Sequence, residues 1–169
     1  MNNFFTIEMQ TAGIQVLESS YIIATSKNID TITSRYGFLL QRIVSLKQGQ
    51  NNQQYSSCVQ LAIEHYQKIY YNRPLQDYQL SILSNPNSFD LNNFYCNSLV
   101  NAMKRFCKEQ IEEINGMTKK TAKEKRAAKI LETIKITKNE LQTKCLTASS
   151  YSIALAELEN LGNTFNTIL

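Results

Sequence analysis

Apolar side chains recur at intervals of three and four residues along most of this 169-residue chain. The spacing is most regular in the second segment, at Ile29, Ile32, Tyr36, Leu39, Ile43 and Leu46. An α-helix places such positions on one face, and the alternating spacing is typical of a helix that packs along another helix. No stretch sustains the apolar–polar alternation of a strand. The sequence therefore predicts an all-α protein.

Breaks between the periodic runs predict the first helices. Residues 26–30 separate two runs and offer Asn28 or Asp30 as an N-cap, which indicates a helical hairpin. One long helix with a phase slip is the alternative. A polar loop around Gly49 precedes a third helix, which is expected to stop before Pro74. We predict a short helix next, with Pro74 in its first turn.

The C-terminal half predicts longer helices. Asp90 can cap a helix that Gly116 ends, and Thr121 with Glu124 has the spacing of a capping box for the following helix. We therefore predict a helical bundle of four to six main helices joined by short loops, with a helix hairpin near residues 108–129. At this length, residues 1–169 are expected to form a single all-helical domain.

The positive charge of the chain is concentrated in its last third. Residues 1–103 carry six basic and six acidic side chains, whereas residues 104–169 carry twelve basic and eight acidic ones, which accounts for the net charge of +4. Six of these bases form what we call the basic segment: Lys119, Lys120, Lys123, Lys125, Arg126 and Lys129. Clustered bases attract phosphates, so these residues are candidates for binding nucleic acid or another anionic partner.

A second interpretation makes the basic segment a solvated and self-paired end of the hairpin. Glu109, Glu112 and Glu113 lie at the end of the preceding helix, across a short turn. Ion pairs with Lys119, Lys120 or Lys123 would cancel part of the positive field and weaken its attraction for phosphate. The sequence leaves both interpretations open.

The stretch IEEINGMTKKTAKEK, residues 111–125, resembles the helix-turn-helix motif of DNA-binding proteins. Gly116 matches the turn glycine, and Ile111 and Met117 match apolar core positions. The resemblance implies a second helix that reads the major groove. Three other core positions hold polar or charged residues: Glu112, Asn115 and Lys125. Because burial of these groups without partners would cost several kcal/mol, the departures favour an ordinary helix hairpin.

The chain lacks the residue patterns of common catalytic and metal sites. Its four cysteines are scattered without a C-x-x-C pair, and His65 is its single histidine. Zinc sites and cysteine nucleophiles both need such partners, so we expect no metal, no cofactor and no enzyme activity. We also expect no small-molecule substrate. The absence of a long apolar run and of a secretory signal predicts a cytoplasmic protein without membrane contact.

Two apolar or aromatic groups are candidate protein interfaces. Tyr71 and Arg73 belong to a tyrosine-rich span, and these residue types often anchor interfaces. The last helix keeps its apolar stripe to the C-terminus with Leu161, Phe165 and Ile168. We therefore predict a non-catalytic structural or protein–protein interaction subunit of a homo- or hetero-oligomeric assembly. The alternative is a nucleic-acid-binding accessory protein that uses residues 119–129.

Overall fold

A computed structural model describes residues 3–169 of the chain, and within this range it contains seven α-helices and no strand. The all-α prediction is confirmed. Six helices have at least 15 residues and α4 has eight, close to the four to six main helices predicted. The helices are α1 (Asn3–Thr25), α2 (Ile29–Gly49), α3 (Tyr55–Ile69), α4 (Asp77–Ser84), α5 (Leu91–Asn115), α6 (Lys120–Lys144) and α7 (Tyr151–Asn166).

Several helix ends lie where the sequence places them. The Asn28 side chain accepts a hydrogen bond from the Thr31 amide at 3.1 Å, so Asn28 caps α2. Asp90 caps α5 in the same way, through the Asn93 amide at 3.0 Å. Helix α5 ends at Asn115, directly before Gly116. Each cap satisfies an amide that the first turn of a helix leaves without a partner.

Two predicted helix starts are wrong. Helix α4 begins at Asp77 rather than around Pro74, because Gln76 and Gln79 form the capping box there. Helix α6 begins at Lys120, and its N-cap Lys119 makes no side-chain capping bond. Thr121 therefore lies inside the helix. The predicted capping box of Thr121 and Glu124 is therefore absent at the start of α6.

The chain divides into two compact units. The first comprises the described part of Met1–Ile23 together with Thr33–Phe89, and the second comprises Ala24–Ile32 together with Asp90–Leu169. The expectation of a single domain over residues 1–169 stays a prediction.

In the first unit, close packing and one buried amide hold the helices together. Gly13 of α1 lies against Ala62 of α3, so closely that a Cβ at position 13 would be 2.8 Å from the Ala62 Cβ. The fully buried Gln79 of α4 donates hydrogen bonds to the Leu17 carbonyl at 3.0 Å and to the Tyr66 hydroxyl at 3.4 Å. One side chain thus links α4 to both α1 and α3.

The second unit is built from α5, α6 and α7, which all pack against one another. Contacts along α5 and α6 show that these two helices run antiparallel. The Asn92 amide donates to the Lys144 carbonyl at 2.5 Å, and the Tyr95 hydroxyl donates to Glu140 at 2.6 Å. At the other end of the pair, Arg126 donates to Glu113. The predicted hairpin is confirmed, since two 25-residue helices lying side by side are unlike the short crossed pair of a helix-turn-helix.

Candidate interaction surface

The basic segment forms the N-cap and the first three turns of α6 in the second unit. None of its six side chains is buried: Lys123 and Arg126 are partly exposed, and the others are exposed. The Lys120 side chain retains 87% of its accessible surface. Charged heads at these positions stay in water, as expected for lysines that precede the buried stripe of the same helix.

Ion pairing across the turn is limited to one base of the basic segment. Arg126 contacts Glu113 at 2.5 Å, whereas Glu109 contacts Lys27 instead, also at 2.5 Å. Lys120 approaches Glu124 of its own helix at 3.9 Å. Within residues 3–169, no carboxylate lies within 4.0 Å of the other four bases, which are Lys119, Lys123, Lys125 and Lys129. The structure therefore leaves most of the segment without the predicted partners.

A groove lies between α5 and α6, beside the basic segment. It consists of two adjoining concavities of about 410 Å³ and 280 Å³, which share Phe106, Gln110 and Thr133 as lining residues. The larger concavity is also lined by Glu109, Ile136 and residues 27–30. The smaller one is also lined by Arg126, Lys129 and Ile130. All of these residues belong to the second unit. We call this surface the α5–α6 groove.

The lining of the α5–α6 groove includes two exposed or partly exposed apolar side chains, Ile136 and Phe106, which we call its apolar floor, and it has one basic edge. Ile136 is 52% exposed, although it is a large apolar residue, and Phe106 is partly exposed. On α6, Lys125, Lys129 and Ile136 project within about 40° of one another, as follows from 3.6 residues per turn. The unpaired lysines thus lie along the same face of the helix as the exposed isoleucine.

The tyrosine-rich span of the first unit contains one exposed and one partly exposed candidate. Tyr71 is 88% exposed. Arg73 instead stacks between two aromatic rings, 4.6 Å from the centroid of Tyr21 and 4.5 Å from that of Tyr70. The Tyr70 hydroxyl hydrogen-bonds Glu18, which is the main cause of its raised pKa. Arg73 therefore stabilises a cluster within the unit through cation–π contacts.

The candidates on the last helix also differ in exposure. Phe165 is fully buried in the core of the second unit, while Leu161 and Ile168 are partly exposed. The stripe on α7 thus serves the unit's own packing at Phe165. Leu161 remains partly accessible on α7, and Ile168 lies two residues beyond the end of that helix at Asn166, so the stripe does not continue as a helix to the C-terminus.

The four cysteines and the single histidine lie in different environments. All four cysteines are free and buried, whereas His65 is exposed on α3. Burial raises the pKa of the Cys107 thiol to about 11; burial and the neighbouring Cys96 raise that of Cys145 to about 12. Protonated thiols are poor nucleophiles and poor metal ligands. In the described part of the chain, no three His, Cys, Asp or Glu side chains are grouped so as to hold a metal ion.

The sequence interpretation missed Phe106, Thr133 and Ile136, which line the groove. Ile136 carried a detectable signal, because it is an apolar residue off the buried stripe that Ile130 and Ile134 define on α6. Thr133 and Phe106 carried none. Which residues face a groove depends on how the neighbouring helix lies, and single-helix periodicity does not include that information.

No helix within residues 3–169 combines the length and the apolar character needed to cross a bilayer. Comparison of the chain with protein-family models, with curated proteins and with solved structures finds no match.

Proposed function

We propose that this protein is a non-catalytic structural or protein–protein interaction subunit of a homo- or hetero-oligomeric assembly, and that the α5–α6 groove is a contact surface. The exposure of Ile136 beside Phe106 is the observation that carries the proposal. Four free, buried cysteines suit a reducing compartment, so we place this function in the cytoplasm.

The shape and the composition of the groove support a protein ligand. A helix of a partner that lies between two helices buries apolar anchors in the floor and keeps its polar face in water. Interface cores are rich in aromatic and large apolar side chains, and the floor provides Phe106 and Ile136 for that purpose. Polar Gln110 and Thr133 can hydrogen-bond at its centre.

Light scattering on the purified chain, alone and with proteins recovered from native extract, tests the proposal. We expect a defined mass above that of the monomer, alone or with a partner. Ile136→Glu should reduce this mass, because it places a charge in the apolar floor. Ile153→Glu is the matched control, since Ile153 is 65% exposed on α7 and lines none of the described concavities at the groove. A strictly monomeric protein that retards DNA or RNA at physiological salt would contradict the proposal.

The second candidate function is nucleic-acid binding by an accessory protein. Lys119, Lys123, Lys125 and Lys129 favour it, because unpaired lysines on one helix can release counterions from a phosphate backbone. The affinity for a single-stranded 20-mer would then fall steeply with salt concentration. Lys119→Gln with Lys123→Gln should weaken binding as strongly as Lys125→Gln with Lys129→Gln.

A control pair distinguishes this nucleic-acid surface from general positive charge. Lys135→Gln with Lys138→Gln removes the same charge from a later part of α6 and should leave the affinity largely unchanged. Equal losses for all three double variants, or binding that does not depend on salt concentration, would argue against the second candidate.

A further inference from the structure

We propose that the α5–α6 groove binds an acidic amphipathic helix of a partner protein, with its carboxylates at the Lys125–Lys129 end. This inference rests on the proposed function, because it takes the groove to be a protein contact surface. It adds the chemistry of the partner and the direction in which its charges lie.

The length of the groove fits a short helix. The α6 wall from Lys125 to Ile136 extends over three turns, or about 16 Å at 1.5 Å per residue. A bound helix would present apolar anchors at positions i, i+3 or i+4, and i+7 over that distance. Phe106, Thr133 and Ile136 lie where such anchors would pack.

The basic edge determines the charge of the partner. Lys125 and Lys129 have no carboxylate of this chain within 4.0 Å, and both project from the same face of α6 as Ile136. On the opposite rim, Lys27 is already paired with Glu109. The positive charge open to a ligand is therefore concentrated on the α6 edge, which favours Glu or Asp on one flank of the bound helix.

The far end of the groove gives the bound helix a direction. The larger concavity contains Ile136 but not Lys129, and its one lysine, Lys27, is already paired with Glu109. A carboxylate of the partner would therefore be attracted to the unpaired Lys129 at the other end of the groove. The acidic residues of the partner are thus expected at one end of its helix and uncharged or basic residues at the other.

The apolar floor distinguishes this partner from nucleic acid. A nucleic acid would use Lys119 and Lys123 as well as Lys125 and Lys129, and would gain little from the Ile136 side chain. An amphipathic helix needs Ile136 together with the lysines that flank the groove. The two classes of partner therefore predict different patterns of loss among the same variants.

Selection from a display library of random 16-residue peptides against the full chain tests the inference. We expect enriched peptides to carry apolar residues at helical spacing and at least two acidic residues near one end. For a synthesised winner measured by fluorescence anisotropy, Ile136→Glu should weaken binding at least tenfold, as should Lys125→Glu with Lys129→Glu. Ile153→Glu, and Lys135→Glu with Lys138→Glu, should change it less than about twofold. Circular dichroism melting of each variant checks that it is folded.

Three outcomes would overturn the inference: no enrichment of acidic amphipathic peptides, binding of the winners that does not depend on Ile136, or displacement of the winners by an oligonucleotide that binds through Lys119 and Lys123. The proposed function has its own readout. If the library fails while light scattering shows an assembly that Ile136→Glu disrupts, the groove is a protein contact surface and its acidic ligand is wrong.

Discussion

Arg126 of α6 is joined to Glu113 of α5 across the hairpin turn, with 2.5 Å between Nη1 and Oε2. The same Nη1 atom donates to the Gln110 side chain at 3.1 Å. Both members of the ion pair are partly exposed to solvent, so screening and side-chain entropy offset much of their attraction. The pair thus links the basic segment to the acidic end of α5 without making the hairpin depend on it.

A double-mutant cycle measures how much this pair contributes. With Arg126→Ala and Glu113→Ala in urea denaturation, we expect a coupling free energy of about 0.2–1 kcal/mol. Lys104 and Glu157, 2.9 Å apart and similarly exposed, form a matched pair between α5 and α7 and should give a similar value. A coupling above about 2 kcal/mol at Arg126 would mean that the pair holds the hairpin together.

The space around two helical glycines, Gly13 and Gly37, predicts that an added methyl group has opposite effects on stability. Gly13→Ala should lower the free energy of unfolding by about 1–3 kcal/mol, because the added Cβ would lie 2.8 Å from that of Ala62. Gly37→Ala should raise it by about 0.5–1 kcal/mol, since nothing lies within 4 Å of the added methyl group. Ala62→Gly should recover part of the loss in Gly13→Ala. Equal effects at the two glycines would refute the close packing of α1 on α3.

The buried Gln79 should be sensitive to substitution. Gln79→Ala removes the bonds to Leu17 and Tyr66 and opens the capping box with Gln76. We expect the free energy of unfolding to fall by about 2 kcal/mol, because buried polar groups lose their partners. Gln60→Ala, at an exposed position on α3, should change it by less than about 0.5 kcal/mol. Similar small effects for both variants in a urea titration would contradict the bridging role.

The stability of the protein should decrease at alkaline pH. Burial raises the pKa of Tyr55 to about 12, and it has the same effect on Tyr78. An unfolded tyrosine loses its proton near pH 10, so between about pH 10 and 12 the unfolded state binds fewer protons than the folded state. The free energy of unfolding therefore falls as pH rises through that window, and the tyrosine contribution is fully present below it. The raised pKa values of Cys107 and Cys145 add a decrease that begins near pH 9.

Urea midpoints measured between about pH 8 and 11 check this pH dependence. Tyr55→Phe should flatten the alkaline decrease, while lowering stability at neutral pH because the Leu83 carbonyl loses a 2.7 Å hydrogen bond. Tyr71→Phe removes an exposed hydroxyl and should keep the wild-type slope. If Tyr55→Phe also keeps that slope, burial of Tyr55 is not the cause.

Local patterns predicted the helices well and their exact starts less well. The caps at Asn28 and Asp90 were recognisable because they act within three residues of themselves. The start of α4 was missed because Gln76 and Gln79 resemble ordinary polar helix residues. Glutamine is a rarer N-cap than serine, threonine, aspartate or asparagine, so Pro74, which is typical of a first turn, predicted an earlier start.

The sequence by itself determined the all-α class and the hairpin at residues 108–129, since these follow from apolar spacing within helices and from the stop at Gly116 between them. Only the tertiary structure decided that Glu109 pairs with Lys27, that Phe165 is buried and that Phe106 and Ile136 share a groove. These facts depend on which helix lies across from which. Helical hydrogen bonds join residues four apart, whereas packing partners are tens of residues distant along the chain.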